Sequence, residues 1–297
     1  MSKSVLVFGA RGRVGSEAQE IYKTAGFKVF GATSGKTLDN DTEVVNFKYG
    51  SDWLANEALK VNPTYVHLLI DSKSSKSIHD GKSIIDAVCL GLCDSVEHIT
   101  FVSVMNANEA PEAVKHFKRL LEVEEHLKTA CAAAQKAYSI VRPAAYMDMT
   151  DDPRIYNPLK KGKVSMLWGA ELTVGMVSCR DVAKAMCATF QDSTKYNGKT
   201  IDAVGEYISG NGLAEACTKA SGVPCKYSPA LPRFVMRMFM SDLHHMVTFF
   251  EEHGYTGKVE DFKEVVPDAE TAEDWFKRHG QWNNGEKFVP ASGTTSA

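Results

Sequence analysis

The chain has 297 residues, 44% hydrophobic and 24% charged, with a net charge of −3. This is an ordinary globular composition. Its mild acidity gives no electrostatic reason to expect nucleic acid or an anionic membrane as partner, and no apolar run approaches the roughly 18 residues of a membrane span. Met1-Ser-Lys-Ser leads straight into a first strand and is read as leaving no room for a signal peptide. The seven cysteines (89, 93, 131, 179, 187, 217 and 225) are scattered through periodic segments without zinc-like C-x-x-C spacing. No metal site is expected, and the thiols read as reduced and mostly buried in a cytoplasmic protein.

Val5-Leu-Val-Phe8 is apolar at every position, as in a strand buried on both faces, and Gly9, Gly12 and Gly15 follow at G-x-x-G-x-x-G spacing. Val14, Ala18, Ile21, Tyr22 and Ala25 then fall at helical spacing, Gly26 is placed to end the helix, and Lys28-Val-Phe-Gly-Ala32 opens a second strand. Strand, glycine turn, helix and strand together open a dinucleotide-binding domain. Gly9 turns the chain off the strand. Gly12 lets a pyrophosphate approach the backbone, and Gly15 lets the helix pack on the sheet. The helix N-terminus offers free N–H groups and a positive dipole end to the phosphates.

An NAD site usually carries Asp or Glu at the end of the second strand, bonded to the ribose 2′-hydroxyl. Here that region reads Val29-Phe-Gly-Ala-Thr33-Ser34-Gly35-Lys36, and the first acid is Asp39. Thr33, Ser34 and Lys36, with Arg11 and Arg13 in the glycine turn, suit a 2′-phosphate that a carboxylate would repel. NADP is therefore favoured over NAD. An ordinary solvated turn at Thr33-Ser34 and a surface role for Arg13 are the alternative.

The next elements are a short strand at Glu43–Phe47, a helix at Asp52–Val61 and a strand at Pro63–Ile70 ending in Asp71. Strand ends face the ligand in a doubly wound sheet, so Ile70 and Asp71 lie on the cofactor side; Asp71 either binds a ribose hydroxyl or caps the next helix. A helix at Ser77–Leu92, a strand at His98–Met105 with Ser103 and Asn106 near its end, a helix from about Pro111 to Gln135, and a strand at Tyr138–Pro143 complete the series. The pattern is α/β: a doubly wound parallel Rossmann-type sheet with a smaller, mostly helical C-terminal substrate region. Residues 1–150 read as the NAD(P)-binding domain, 151–282 as the substrate-binding region with 179–204 packing back on the sheet, and 283–297 as a disordered tail. Met236, Met238, Phe239, Met240, Met246, Phe249 and Phe250 are dense enough to line a hydrophobic pocket, or else to form core.

Five pieces in order resemble the NmrA-like branch of the atypical short-chain dehydrogenase/reductases. They are Gly9–Gly15, Phe101-Val-Ser-Val104, Glu122-Val-Glu-Glu-His-Leu127, Tyr138–Met147, and Cys179-Arg-Asp-Val-Ala183 followed by Tyr196-Asn-Gly-Lys-Thr200. The resemblance implies a Rossmann domain binding NAD(P), with a C-terminal region closing a cleft over the nicotinamide. Members include NADPH-dependent reductases and regulators that bind the dinucleotide without turnover.

The chain departs from the pattern of active short-chain dehydrogenases, which carry Tyr-x-x-x-Lys on the long helix. Counting back from Glu122-Val-Glu-Glu125 puts His116 at the tyrosine position and Leu120 at the lysine position. His116 is a candidate general acid, or else a partly exposed helix histidine. Ser103 and Tyr146 complete the catalytic candidates. The cofactor set is Gly9, Arg11, Gly12, Arg13, Val14, Gly15, Thr33, Ser34, Lys36, Ile70, Asp71, Ser103 and Pro143. The leading expectation is an NADPH-dependent oxidoreductase of a small apolar carbonyl or conjugated substrate. The alternatives are a non-catalytic NAD(P)-binding redox sensor with a protein partner, and a non-redox isomerase or lyase. Monomer and homodimer both remain open.

Overall fold

The computed structural model describes residues 3–35, 37–38, 42–50, 52–72, 76–151, 162–281 and 289–290. Seven parallel strands form the central sheet: β1 (Ser4–Phe8), β2 (Lys28–Thr33), β3 (Glu43–Asn46), β4 (Tyr65–Leu68), β5 (His98–Val102), β6 (Ala137–Pro143) and, later in the chain, β10 (Lys199–Ala203). Their order is β10-β6-β5-β4-β1-β2-β3. The order reverses between β1 and β4, and such a switch point is where a doubly wound sheet binds its ligand.

Helices cover both faces. On one face lie α2 (Asp52–Leu59), α3 (Ser77–Ala87) and α4 (Lys115–Ala134), packed on Leu6, Phe8, Leu68, Ile99 and Phe101. On the other face α1 (Arg13–Thr24) and α5 (Cys179–Gln191) pack on Val5, Val7, Val102 and Val141. The alternation of Val5, Leu6, Val7 and Phe8 between the two cores explains why the strand is apolar throughout. β10 pairs with β6 in parallel after α5 and the short α6 (Ser193–Tyr196), so residues 179–203 belong to the sheet.

The remaining described elements build a lobe over the carboxyl ends of the strands. β7 (Ala145–Tyr146), β9 (Thr173–Val177) and β11 (Glu206–Ser209) form a small sheet, and β8 (Lys163–Val164) pairs with β12 (Lys226–Tyr227). Its helices are α7 (Gly210–Ser221), α8 (Arg233–Phe239), α9 (Ser241–Glu252) and α11 (Ala272–His279), whereas α10 (Val259–Lys263) returns to the central sheet through Phe262, which joins the α1/α5-side core. Phe117 and Val114 enter the lobe's core with Trp168, Met236, Phe250 and Trp275. The predicted Met/Phe pocket divides: Met236, Met246, Phe249 and Phe250 are buried in that core, whereas Met238 and Phe239 are exposed. Of the predicted tail, β14 (Val289–Pro290) is described and pairs with β13 (Gly280–Gln281); the rest lies outside the described residues. No described helix is long and apolar enough to cross a membrane.

The long helix begins later than the sequence predicts. Residues 111–114 form a turn closed by Val114 N–H on the Pro111 carbonyl (2.9 Å), and α4 starts at Lys115. The start is set from afar: Asp242 Oδ1 on α9 accepts the Lys115 N–H at 2.6 Å. An N-cap drawn from a distant helix leaves no local sequence signature.

Two core histidines set a pH limit on the fold. His67 on β4 is hydrogen-bonded to the Tyr22 hydroxyl (2.7 Å), and His98 on β5 lies between Ser193 Oγ (2.6 Å) and Ser139 Oγ (2.8 Å). Burial pushes His67 down to about 3 and His98 down to about 4. Both are neutral in the native state, whereas an unfolded histidine titrates near about 6.5. Their contribution to stability is therefore present above that value and is lost as pH falls toward 4. Urea unfolding should show stability falling below pH 6.5 by up to about 1.4 kcal/mol per pH unit for each histidine. Stability that stays level between pH 6.5 and 5 would contradict this.

Candidate functional site

The site begins where β1 ends. Gly9 has φ +83°, and its carbonyl accepts the Gly12 N–H at 2.9 Å. A Cβ at Gly15 would lie 2.2 Å from that same carbonyl oxygen and 2.8 Å from its carbon, so α1 sits directly on the turn. Gln19, buried on the inner face of α1, fastens it by donating Nε2 to the Ala10 carbonyl (2.7 Å) and the Gly15 carbonyl (3.0 Å). The sequence reading overlooked Gln19. Its one signal was a polar residue on the helix's inward face, four positions after Gly15.

Gly12 differs from Gly15. A Cβ there would meet within 4 Å only the Gly9 carbonyl oxygen, at 3.2 Å. Gly12 is the N-cap of α1 and has no side chain to cap the helix, and no acid lies in the first turn. The first turn of this twelve-residue helix thus begins beside the strand end, and a helix N-terminus in that place suits an anion. By contrast, α5 is capped by Ser178 Oγ, which accepts the Asp181 N–H at 3.0 Å.

The two arginines of the turn diverge. Arg11 is exposed and its guanidinium lies against Gly35, where a Cβ would come within 2.5 Å of Nη1. Ser34 is exposed beside it, and the Thr33 hydroxyl accepts the Gly35 N–H at 3.1 Å. A cation and hydroxyls therefore converge at the end of β2; Lys36 lies outside the described residues. Arg13 turns the other way and donates Nη1 to the Asp148 carbonyl. Asp148 in turn accepts the Cys179 N–H on Oδ2 at 2.9 Å, which ties the starts of α1 and α5 together.

At the other strand ends, Ile70 is buried and Asp71 exposed. The N-cap residue of α3 is Lys76, so Asp71 does not hold the capping position. Arg119 of α4 donates to the Ser72 carbonyl (3.2 Å), which brings a second guanidinium to the residue after Asp71. The Ser103 hydroxyl, just past β5, is buried with no hydrogen-bond partner among the described residues. An unmet buried hydroxyl costs about 1–3 kcal/mol, so a polar ligand atom fits there. Pro143 is buried at the end of β6, and its carbonyl accepts the Met105 N–H at 3.0 Å. Asn106, with φ +60°, is held by the loop after α9: its amide donates to Thr256 Oγ1 (3.1 Å) and accepts the Thr256 N–H (3.2 Å).

The catalytic candidates occupy separate places. Leu120 is buried in the core beneath α4. His116 is hydrogen-bonded through Nδ1 to Asp242 Oδ2 (2.6 Å), and its ring meets Phe117 edge-on. Asp242 thus does two things at once, since its other oxygen caps α4. Tyr146 projects opposite to its neighbours Ala145 and Met147, which enter the lobe's core. It packs instead on the α1/α5 side. Burial, then Cys179, Asp148 and Tyr255, raise its hydroxyl well above the ordinary phenol range. The structure therefore joins His116 to a carboxylate and gives Tyr146 different neighbours.

A family model described as the NmrA-like family matches residues 1–276. The chain belongs to the NmrA-like family. No curated protein sequence matches it. Among solved structures it is similar to a nucleoside-diphosphate-sugar epimerase from Staphylococcus aureus, with 19% identity and a TM-score of 0.73 over 92% of this chain and 99% of that one. It is also similar to NmrA, a negative transcriptional regulator solved in complex with NAD, with 14% identity and a TM-score of 0.74 over 93% and 95% of the two chains. The third is the Citrobacter sp. triphenylmethane reductase complexed with NADP(H), with 15% identity and a TM-score of 0.71 over 93% and 99%. At these identities the likeness establishes the fold of this NmrA-like chain.

The two glycines separate scaffold from site. Gly15→Ala forces α1 off the turn and should destabilise the protein by about 2 kcal/mol or more in urea unfolding. Gly12→Ala should fold within about 1 kcal/mol of wild type yet lose dinucleotide affinity at least about tenfold. Equal affinity in Gly12→Ala and wild type would place the phosphates elsewhere.

Proposed function

We propose that this NmrA-like protein binds NADP(H) and reduces a small, fairly apolar carbonyl or conjugated compound. The observation that carries the cofactor half is the glycine turn that opens α1, with Gly12, which has no side chain, as the helix N-cap beside the end of β1, an arrangement that suits a pyrophosphate. Arg11 against Gly35, with Ser34 exposed beside it and no acid among the described residues at that turn, favours the 2′-phosphate form. The solved relatives support a nicotinamide dinucleotide: NmrA is known in complex with NAD and with NADP, and the triphenylmethane reductase with NADP(H).

When bound, the reduced nicotinamide supplies a hydride. The protein's own groups then have distinct tasks. Gly9 to Gly15 hold the pyrophosphate, and Arg11 and Ser34 hold the 2′-phosphate. The buried Ser103 hydroxyl bonds the ligand at the end of β5. His116 exchanges the proton, with Asp242 fixing its ring through Nδ1. Beyond β5 and β6, Met105, Ala144 and Val204 form a small buried apolar cluster against which Tyr255 packs. Leu120 supplies no ammonium for the ribose.

That last feature supports a second reading, a dinucleotide sensor without turnover. A sensor must discriminate between cofactor forms, because a ligand that binds two states equally shifts nothing.

Mixing purified protein and NADPH with quinones, enals and aromatic ketones, and following loss of reduced nicotinamide absorbance, decides between them. The reductase reading expects turnover that His116→Ala lowers about 10²–10⁴-fold, with NADPH affinity unchanged and a smaller loss in Asp242→Asn. Tight NADPH binding without oxidation by any of these substrates would overturn it in favour of the sensor.

A further inference from the structure

Away from the dinucleotide site, the C-terminal lobe holds the closest pair of thiols among the described residues. Cys217 Sγ on α7 lies 3.2 Å from Cys225 Sγ, eight positions later; Cys89 and Cys131 are 3.8 Å apart. The turn that joins the first pair is tightly bonded. Gly222, with φ +70°, ends α7 in a left-handed cap. Ser221 Oγ accepts the Val223 N–H (3.1 Å), and Thr218 Oγ1 accepts the Cys225 N–H (2.9 Å).

The two thiols are unequal. Cys217 is fully buried, whereas Cys225 is half-buried and lines an open groove of about 540 Å³ with Glu215, Lys219 and Lys226. The contact with the Cys217 thiol, 3.2 Å away, lowers the Cys225 thiol from its ordinary value, against the opposing effect of burial. The same contact, and burial, push Cys217 up. In its thiol form Cys225 donates to the Val223 carbonyl (3.4 Å). A sulfur that lines an open groove 3.2 Å from a buried partner thiol is the arrangement of a reactive and a resolving cysteine.

We propose that Cys225 is a peroxide-reactive nucleophile and Cys217 its resolving partner, so that the turn between α7 and β12 closes reversibly into a disulfide. The Cys225 thiolate attacks one peroxide oxygen. The O–O bond breaks, hydroxide leaves, and Cys225 becomes a sulfenic acid. The Cys217 sulfur then attacks the sulfenic sulfur; the S–O bond breaks, and the hydroxyl departs with the Cys217 proton as water. The two sulfurs together lose two electrons and the peroxide gains them. The sulfurs need to close by about 1 Å to reach the ordinary S–S length of about 2.05 Å. A thiol reductant reverses the change.

The test is dilute hydrogen peroxide on the full chain, followed by mass spectrometry and a non-reducing tryptic map. Lys219 and Lys226 place the two cysteines on separate peptides, 200–219 and 220–226. Wild type should lose two hydrogens and yield these peptides linked, with full recovery on adding dithiothreitol. Cys217→Ser should give no link, and dimedone should trap a sulfenic acid at Cys225 as the main product. Cys225→Ser should leave Cys217 unmodified under the same exposure. The proposal is overturned if the 217–225 link never forms while other cysteines oxidise, or if Cys217 is oxidised as fast in Cys225→Ser as in wild type. Circular dichroism of each variant checks that it is folded.

Discussion

The contact between Gly15 and the Gly9 carbonyl governs the rest of the site. A side chain at Gly15 would lift α1 from the turn, and several other groups take their positions from that helix. Its N-cap is Gly12, whose N–H is held by the Gly9 carbonyl at the end of β1. Arg11 departs from the turn toward β2, and Arg13 departs toward Asp148 and the start of α5. The chain returns to α1 near its end: Arg278 on α11 bonds Glu17 (3.3 Å) and Glu270 (2.9 Å), and the Glu270 N–H donates to buried Asp181 on α5 (2.7 Å). One close backbone approach thus anchors both a candidate phosphate cradle and the attachment of the lobe.

The long helix α4 plays a comparable part on the other side. Its inner stripe, Leu120, Val123, Leu127 and Cys131, belongs to the sheet's core, while its first turn sends Phe117 into the lobe. Leu120, which the sequence count sets at the lysine position of active short-chain dehydrogenases, is core here. His116, which the same count sets at the tyrosine position, lies where α9 supplies Asp242 to cap the helix and hold the imidazole. Any proton transfer there depends on the lobe being seated. Buried Glu124 fixes the helix to β6, with Arg142 donating to its two oxygens at 2.9 and 2.6 Å.

How much could be read beforehand follows from the physics of each element. β1, β4 and β5 are legible because strands buried on both faces read as apolar runs, and the glycine turn is legible because its steric demands leave few residue choices. The strands Ala145–Tyr146, Thr173–Val177 and Glu206–Ser209 went unread. They are too short or too mixed to show a period, and they form only by pairing with one another. Asp242, Asp148 and Arg119 act through contacts that no local pattern announces. The Met/Phe stretch looked uniform in composition, yet α8 turns Met236 inward and Met238 outward, a distinction set by packing.

The account rests on a 2′-phosphate site reached by Arg11 above the cradle of Gly9, Gly12 and Gly15. Calorimetric titration of the purified protein with NADPH, NADP⁺, NADH and NAD⁺, alongside Arg11→Ala, tests this directly. The account predicts that the phosphorylated forms bind at least about tenfold more tightly than their counterparts, a margin that one charge-assisted contact of about 1.5–3 kcal/mol supplies and that Arg11→Ala removes. Binding of none of the four would contradict the account at its root, and equal binding of NADPH and NADH would contradict the role of Arg11.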